Sequence, residues 1–216
     1  MHENTIIITA GGIGKRMGGA VPKQFLSLDG IPILMRTISC FYAFDSSAQL
    51  IVTLPEAWKE YWNTLCTEHH FTIPHLLVSG GKERFHSIQK ALTLSTGNYI
   101  AVHDGVRPNV SQEAISRCFD SANKTGSGIP VIEVNESLRQ ILPNGGSQSV
   151  LRSAFRIVQT PQVFERSILE KAYQLPFHEG ITDDASLVEE AGFEVTLVEG
   201  NIENIKITTK VDLTYK

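Results

Sequence analysis

Cysteine is scarce in this sequence: Cys40, Cys66 and Cys118 are the only three, they stand far apart, and none belongs to a C-x-x-C pair. That excludes a disulfide framework and predicts reduced thiols in a cytoplasmic protein. Long apolar runs are lacking too. The polar start Met1-His2-Glu3-Asn4 is followed only by the short run Ile6-Ile7-Ile8, which predicts neither a signal peptide nor a membrane span of about 20 apolar residues. Basic excess is missing: 19 Lys and Arg face 23 Asp and Glu, for a net charge of −4. A polymeric nucleic-acid partner is thereby disfavoured, and an anionic ligand must be met by a few local cations. No internal repeat or low-complexity segment occurs. No histidine stands in H-E-x-x-H or at ligand spacing with a cysteine, and no nucleophilic Ser or Cys elbow is present. The histidines therefore read as surface or internally satisfied groups.

What is present fits one globular unit over residues 1–216, because 42% apolar residues suffice for one sizeable core. β-Branched or apolar runs at 5–9, 49–54, 75–78, 98–103 and 129–134 predict strands. Between them lie segments of helical spacing. Pro55 opens one that carries Trp58, Tyr61, Trp62 and Leu65, and another follows Gly80-Gly81 with Phe85, Ile88, Ala91 and Leu92 inward. A third has Ser111 as N-cap and Val110 with Ile115 as a hydrophobic staple. This alternation predicts an α/β fold with a mainly parallel sheet covered on both faces, finished by strands near 194–198 and 204–208. Ligands of such sheets bind beyond the carboxyl ends of the strands, here the loop after residue 9, Gly80-Gly81 and the turn 103–108. Residues 136–152 break the pattern: a Pro-Asn-Gly-Gly turn between two alternating segments predicts a hairpin. Its apolar face either rests on a second subunit or lies on a solvated surface.

The glycine loop is the strongest chemical signal. Segment 10–28, AGGIGKRMGGAVPKQFLSL, holds Gly11, Gly12, Gly14, Gly18 and Gly19, the cations Lys15, Arg16 and Lys23, and no carboxylate. Glycine lets main-chain N–H groups approach an anion closely, and the cations neutralise it. This predicts a polyphosphate site; the plainer alternative is a basic surface loop. Gly12-x-Gly14-x-x-x-Gly18 also resembles a dinucleotide fingerprint, but Pro22 falls where the phosphate helix should run. Nor does an acid for the ribose hydroxyls stand at the end of the second strand about 20 residues on. The absence of GK[ST] excludes a Walker A loop.

Further along, His103-Asp104-Gly105-Val106-Arg107-Pro108 occupies a strand end. Asp104 there can hold hydrated magnesium on phosphates, or it can simply pair with Arg107 to stiffen the turn. Gln159-Thr160-Pro161-Gln162 reads as a polar break before a helix, and Thr182 or Asp183 as the N-cap of a helix that ends at Gly192. In Asn204-Ile205-Lys206-Ile207-Thr208, alternation alone makes Lys206 a solvent-facing strand lysine.

Taken in order, AGGIGKRMG…PKQF, GG-x-ER…S, HDGVRP, R…QTPQVF, TDDAS and NIKIT resemble the 2-C-methyl-D-erythritol 4-phosphate cytidylyltransferases of the non-mevalonate isoprenoid pathway, over residues 5 to 209. The resemblance implies a Rossmann-like nucleotidyltransferase fold and a homodimer whose arm reaches the neighbouring site. It also implies a reaction of CTP with a sugar-alcohol phosphate that needs magnesium or another divalent cation. Arg16 and Lys23 would stabilise the transferring phosphate, and Arg152 and Lys206 would position the acceptor phosphate. Ala10, Gly11, Gly12, Gly14, Gly81, Ser87 and Asp104 would line the CTP site, with Asp104 on the metal. Arg107, Ser137, Thr160 and Thr182 would join Arg152 and Lys206 at the acceptor. The pattern departs at Lys82, where an acid is frequent, at Gly105-Val106, and at Ser137, where threonine is common but the hydroxyl is kept. A ribitol 5-phosphate cytidylyltransferase shares most of these motifs; a nicotinamide-dependent oxidoreductase and a non-catalytic nucleotide-binding module are the more distant alternatives.

Overall fold

Ile6, Ile7 and Ile8 are all fully buried, and the sheet around them explains why. A computed structural model describes residues 2–12, 21–209 and 211–214. Strand β1 (Asn4–Thr9) has parallel partners on both edges, β4 (Gln49–Leu54) and β6 (Tyr99–Asp104). The small strands β2 (Ser27–Leu28) and β3 (Ile31–Pro32) pair with each other and lead into α1 (Ile33–Phe44). After β4 come a 3-10 turn at Glu56–Trp58, α2 (Lys59–Glu68), β5 (Leu76–Ser79) and α3 (Arg84–Leu92). After β6 come α4 (Gln112–Thr125), β7 (Ser127–Glu133) and the hairpin β8 (Leu138–Ile141) with β9 (Ser147–Val150). The chain closes with β10 (Arg156–Val158), β11 (Gln162–Glu165), α5 (Arg166–Ala172), α6 (Asp184–Glu190) and β12 (Leu197–Glu199).

The eight-stranded sheet has the order β10-β7-β11-β6-β1-β4-β5, with β12 beside β7. Only β10 and β11 run against the rest. Side chains alternate between its faces, so Ile6 and Ile8 join α1, α2 and α4 in one apolar cluster, while Ile7 joins α3, α5 and α6 in the other. Each fully buried isoleucine contributes about 1.5–3 kcal/mol.

Local signals operate as their chemistry predicts. Ser111 Oγ accepts the Ala114 amide at 3.1 Å and caps α4, with Val110 and Ile115 buried beside it. Asp183, rather than Thr182, caps α6 in a reciprocal box with Ser186. The hairpin at 136–152 forms, antiparallel and largely exposed.

Two expectations fail. The polar break 159–162 leads first into β11, which inserts antiparallel between β6 and β7, and only then into α5. Segment 204–208 is not a strand: Ile207 N–H donates to Val106 O at 3.0 Å, but no ladder forms. Instead Asn204 is tied by hydrogen bonds to Arg107, Gln159 and Thr160, and Ile207 packs against Leu28, Ile33 and Val106.

Candidate active site

The carboxyl ends of β1, β4, β5 and β6 surround a cavity of about 710 Å³. Its walls are Thr9 to Gly12, Lys23 and Gln24, Thr53, Pro55 and Glu56, Gly80 to Arg84, Ser87, Asp104, Val106 and Lys206. All three expected loops meet in one hollow, beginning with the glycine segment and Gly80-Gly81. Asp104 and Val106 bring in the third.

Main-chain bonds fix the shelf. Ala10 N–H donates to Thr53 O at 3.0 Å, and Gly105 N–H donates to Thr9 O at 2.9 Å. Buried Gln24 donates to Ala10 O at 2.7 Å, and Lys23 Nζ donates to Ile207 O at 2.8 Å. On the other side Ser87 Oγ accepts the Gly81 amide at 2.9 Å and donates to Glu83 O at 3.1 Å. Gly81 cannot be larger, because a Cβ there would come within 2.3 Å of His86 Cβ. Glu56 lines the wall with its Oε2 bonded by Ser79 Oγ and lying 3.1 Å from Lys59 Nζ. Those two partners, Ser79 first, lower its carboxyl below the ordinary range.

Asp104 is the electrostatic hub. Arg107 Nε lies 3.0 Å and Lys206 Nζ 3.1 Å from its Oδ2, and Arg84 Nε lies 4.0 Å from its Oδ1. Burial pushes this carboxyl up, but Arg84, Lys206 and Arg107 outweigh it and hold the group well below the usual range. Arg107 also donates to Asn204 O at 2.8 Å, and Asn204 donates to Thr160 O at 2.7 Å. Lys206 is half-exposed, as alternation expects, yet it points at a carboxylate inside the cavity rather than at bulk water.

Arg84 reaches into a second hollow of about 280 Å³, lined also by Glu83, Phe85, Tyr173, Phe177, Glu179 and Thr182. There it donates to buried Asp184 at 2.6 Å, and Asp184 accepts the Tyr173 hydroxyl at 2.6 Å. Burial works against the Arg84 charge, but Asp184 and Asp104 raise its pKa above the ordinary value and keep it cationic.

Of the residues singled out in the sequence, Ala10, Gly11, Gly12, Lys23, Gly81, Ser87, Asp104 and Lys206 share the main cavity. Arg107 stands behind Asp104, and Thr182 lines the adjoining hollow. Thr160 is buried, its hydroxyl used by Asp104 N–H and His103. Ser137 and Arg152 belong to the arm region outside both hollows, with the Arg152 guanidinium donating to Asn135 O. Gly14 and Arg16 lie outside the described residues. Sequence reasoning missed Arg84, although it stands in the GG-x-ER string, because a helix-start arginine looks like a surface residue. It also missed Glu56. The expectation that no acid stands at the end of the second strand is wrong: Glu56 follows β4 by two residues and lines the cavity, although α1 and the β2–β3 pair place it far more than about 20 residues after the glycine loop.

The family model for 2-C-methyl-D-erythritol 4-phosphate cytidylyltransferase matches residues 4–216. The chain belongs to this family. A cytidylyltransferase of that name from Phocaeicola vulgatus is 51% identical over 209 residues, 96% of this chain and 95% of the relative. Among solved structures, the cytidylyltransferase from Thermus thermophilus matches with a TM-score of 0.78 at 30% identity, covering 97% of this chain and 94% of the other. That from Francisella tularensis matches at 0.80 and 29%, covering 98% and 96%. Nothing in these cytidylyltransferase matches favours an oxidoreductase or a ribitol phosphate enzyme. Consistently, no α-helix lies between Val21 and Pro32, where a dinucleotide-binding fold would run its phosphate helix.

Proposed function

We propose that the protein catalyses the reaction for which its family is named: transfer of a cytidylyl group from CTP to 2-C-methyl-D-erythritol 4-phosphate, with release of pyrophosphate. The observation that carries this reading is the gathering of Lys23, Arg84, Lys206 and Asp104 around a glycine shelf at the strand tips. An oxygen of the acceptor phosphate attacks the α-phosphorus of CTP; the bond from that phosphorus to the bridging oxygen breaks, and pyrophosphate leaves with the electron pair. A phosphate monoester has its second pKa near 6 and is already mostly dianionic at pH 7, so no general base is required. The task is to bring two anions into line, and cations with main-chain amides accomplish it. Lys23 and Arg16 meet the charge that builds on the transferring phosphate, while Lys206 and Arg152 hold the acceptor phosphate; Arg107, committed to Asp104 and Asn204 O and lining neither hollow, acts only through that carboxylate. Thr182, in the adjoining hollow, would contact the acceptor, whereas Thr160, buried with its hydroxyl used by Asp104 N–H and His103, would act by positioning Asp104.

Magnesium fits the residues present. It binds through one or two carboxylates together with substrate phosphates, and Asp104 offers one ionised carboxylate inside the cavity. No cluster of three or more acidic, histidine or cysteine ligands exists among the described residues. When bound, the ion neutralises phosphate charge. A homodimer is supported by the apolar exposure of Ile141, Leu151, Phe155, Ile157 and Val158 along the arm and β10. A partner's arm would bring the second Ser137 and Arg152 to the acceptor side. No helix among the described residues is long and apolar enough to cross a membrane, and three free cysteines support a cytoplasmic setting.

The test is a pyrophosphate-release screen of the four nucleoside triphosphates against methylerythritol phosphate and ribitol phosphate. CTP with methylerythritol phosphate should dominate; preference for ribitol phosphate, or no release with CTP, overturns the reading.

A further inference from the structure

Gln24 has no role in the reaction described above, yet it lines the same cavity and is only 1% exposed. A buried amide side chain is costly unless its hydrogen bonds are made, so the partner it selects is informative. Gln24 is the middle residue of the 3-10 turn Lys23–Phe25, whose three residues per turn send successive side chains about 120° apart. Lys23 reaches Ile207 O and Gln24 reaches Ala10 O. Phe25 packs on the rings of Trp58, Tyr61 and Trp62, at 5.8, 5.3 and 6.1 Å between centroids. The aromatic cluster anchors the turn, and the turn delivers two polar groups to the site.

The Gln24 bond acts on one peptide plane. Ala10 N–H donates to Thr53 O at 3.0 Å, and Ala10 O accepts Gln24 Nε2 at 2.7 Å. A carbonyl only accepts, so the amide nitrogen of Gln24, not its oxygen, must face it. In a trans peptide the C=O and the following N–H point in opposite directions. Fixing Ala10 O on Gln24 therefore also fixes Gly11 N–H, turned away from Gln24. Gly11 is exposed in the cavity wall, and its N–H has no hydrogen-bond partner among the described residues. Without the tether, the glycines at 11 and 12 would let this plane rotate. With it, a main-chain donor is held ready for a ligand rich in acceptor oxygens.

We propose that Gln24 is a positioning residue for nucleotide binding: it holds the Ala10–Gly11 peptide so that Gly11 N–H donates to the bound nucleotide. This rests on the nucleotide-transfer reading above and adds a residue to the nucleotide side of that site. Lys23, its chain neighbour, serves the transition state instead, so the two residues separate in kinetics.

The experiment uses Gln24→Met, which keeps length and volume but removes the donor, and Gly11→Pro, which removes the N–H itself. CTP affinity is measured by calorimetric titration, and kcat and KM by pyrophosphate release with methylerythritol phosphate, well below the melting temperature of each protein. Gln24→Met should raise Kd and KM for CTP by about tenfold, the cost of an unpaired buried carbonyl and a loosened donor. Its kcat should stay within about threefold of wild type, and KM for the acceptor should not change. Gly11→Pro should weaken CTP binding by a similar factor, and the double variant should lose little more than either alone, because both remove one interaction. The inference is overturned if Gln24→Met lowers kcat and spares KM, which would mean that it acts through Lys23. It is equally overturned if Gly11→Pro binds CTP normally, or if the two losses add in full. A wild type that binds CTP but releases no pyrophosphate removes the transfer reading and leaves this inference to the affinity measurements. A wild type that does not bind CTP removes both.

Discussion

Thr160 Oγ1 stands between the Asp104 amide, at 3.1 Å, and His103 Nδ1, at 3.0 Å. In the neutral ring that Nε2 bonding sets, Nδ1 is an acceptor, so the hydroxyl accepts from the amide and donates to Nδ1. The opposite nitrogen, Nε2, faces Arg107 O at 3.1 Å and so carries the proton. His103 is therefore a neutral strut that ties the start of the turn to its end, and it sets the two residues whose charges meet in the cavity.

This relationship has a pH signature. Burial lowers the His103 pKa from the ordinary 6.5 to about 4, against smaller raising contributions from its hydrogen bonds and Asp104. On acidification the unfolded chain takes up the proton first. Stability is thus lost as pH falls from about 6.5 to about 4, by up to about 3 kcal/mol, and this contribution is flat below that window. Urea unfolding at pH 7 and pH 4.5 should show the loss in wild type and a smaller loss in His103→Gln. Equal slopes for the two proteins would contradict the assignment. Asp104 acts in a lower window, because its depressed pKa makes its contribution disappear only at more acid pH.

Lys23 is tethered to Ile207 O at the cavity wall. Lys23→Ala should lose about 3 kcal/mol or more of transition-state stabilisation, chiefly in kcat, as expected for a preorganised cation facing developing phosphate charge. Steady-state pyrophosphate release with saturating CTP measures this. A near-normal kcat would refute the role.

Arg152 sits outside both hollows of its own chain. Arg152→Ala should raise KM for the acceptor phosphate by about tenfold or more while leaving CTP affinity near normal, the pattern of a lost charge-assisted bond to the acceptor alone. Calorimetric titration of CTP beside acceptor kinetics separates the two. Damage to CTP binding with intact acceptor use would reverse the assignment.

Asp184 is fully buried against Arg84 and the Tyr173 hydroxyl. Asp184→Asn keeps the volume and an acceptor but removes the charge, and should cost about 2 kcal/mol of stability. Its melting temperature should fall, and acceptor kinetics should weaken as Arg84 loses its anchor. A variant with unchanged melting temperature would show that the pair is energetically neutral.

The parallel half of the fold was legible because its strands are buried on both faces and read as unbroken apolar runs: TIIIT, QLIVTL and NYIAVH each became a strand. Ser111 was legible as a cap because its chemistry is local. β11 was not: Gln162 and the preceding proline look like a loop, and its burial comes from β6 and β7, distant in sequence. Segment 204–208 misled in the opposite sense, with strand-like alternation but no partner edge. Lys206 and Arg84 carry no local mark of their place in the cavity; only the tertiary approach to Asp104 distinguishes them from surface cations.

The reversed direction of β11 has a consequence for how such a catalyst can diversify. A parallel strand delivers its exit loop to the working rim, whereas β11 delivers its entrance, so Thr160 arrives beside Asp104 from the other half of the sheet. The rim is therefore assembled from two wings joined at the β6–β11 seam. If the proposed assignment of nucleotide to the glycine shelf and acceptor to the far side holds, recomposing the wing from β7 to β12 would alter which alcohol phosphate is welcomed and leave the nucleotide wing from β1 to β5 untouched.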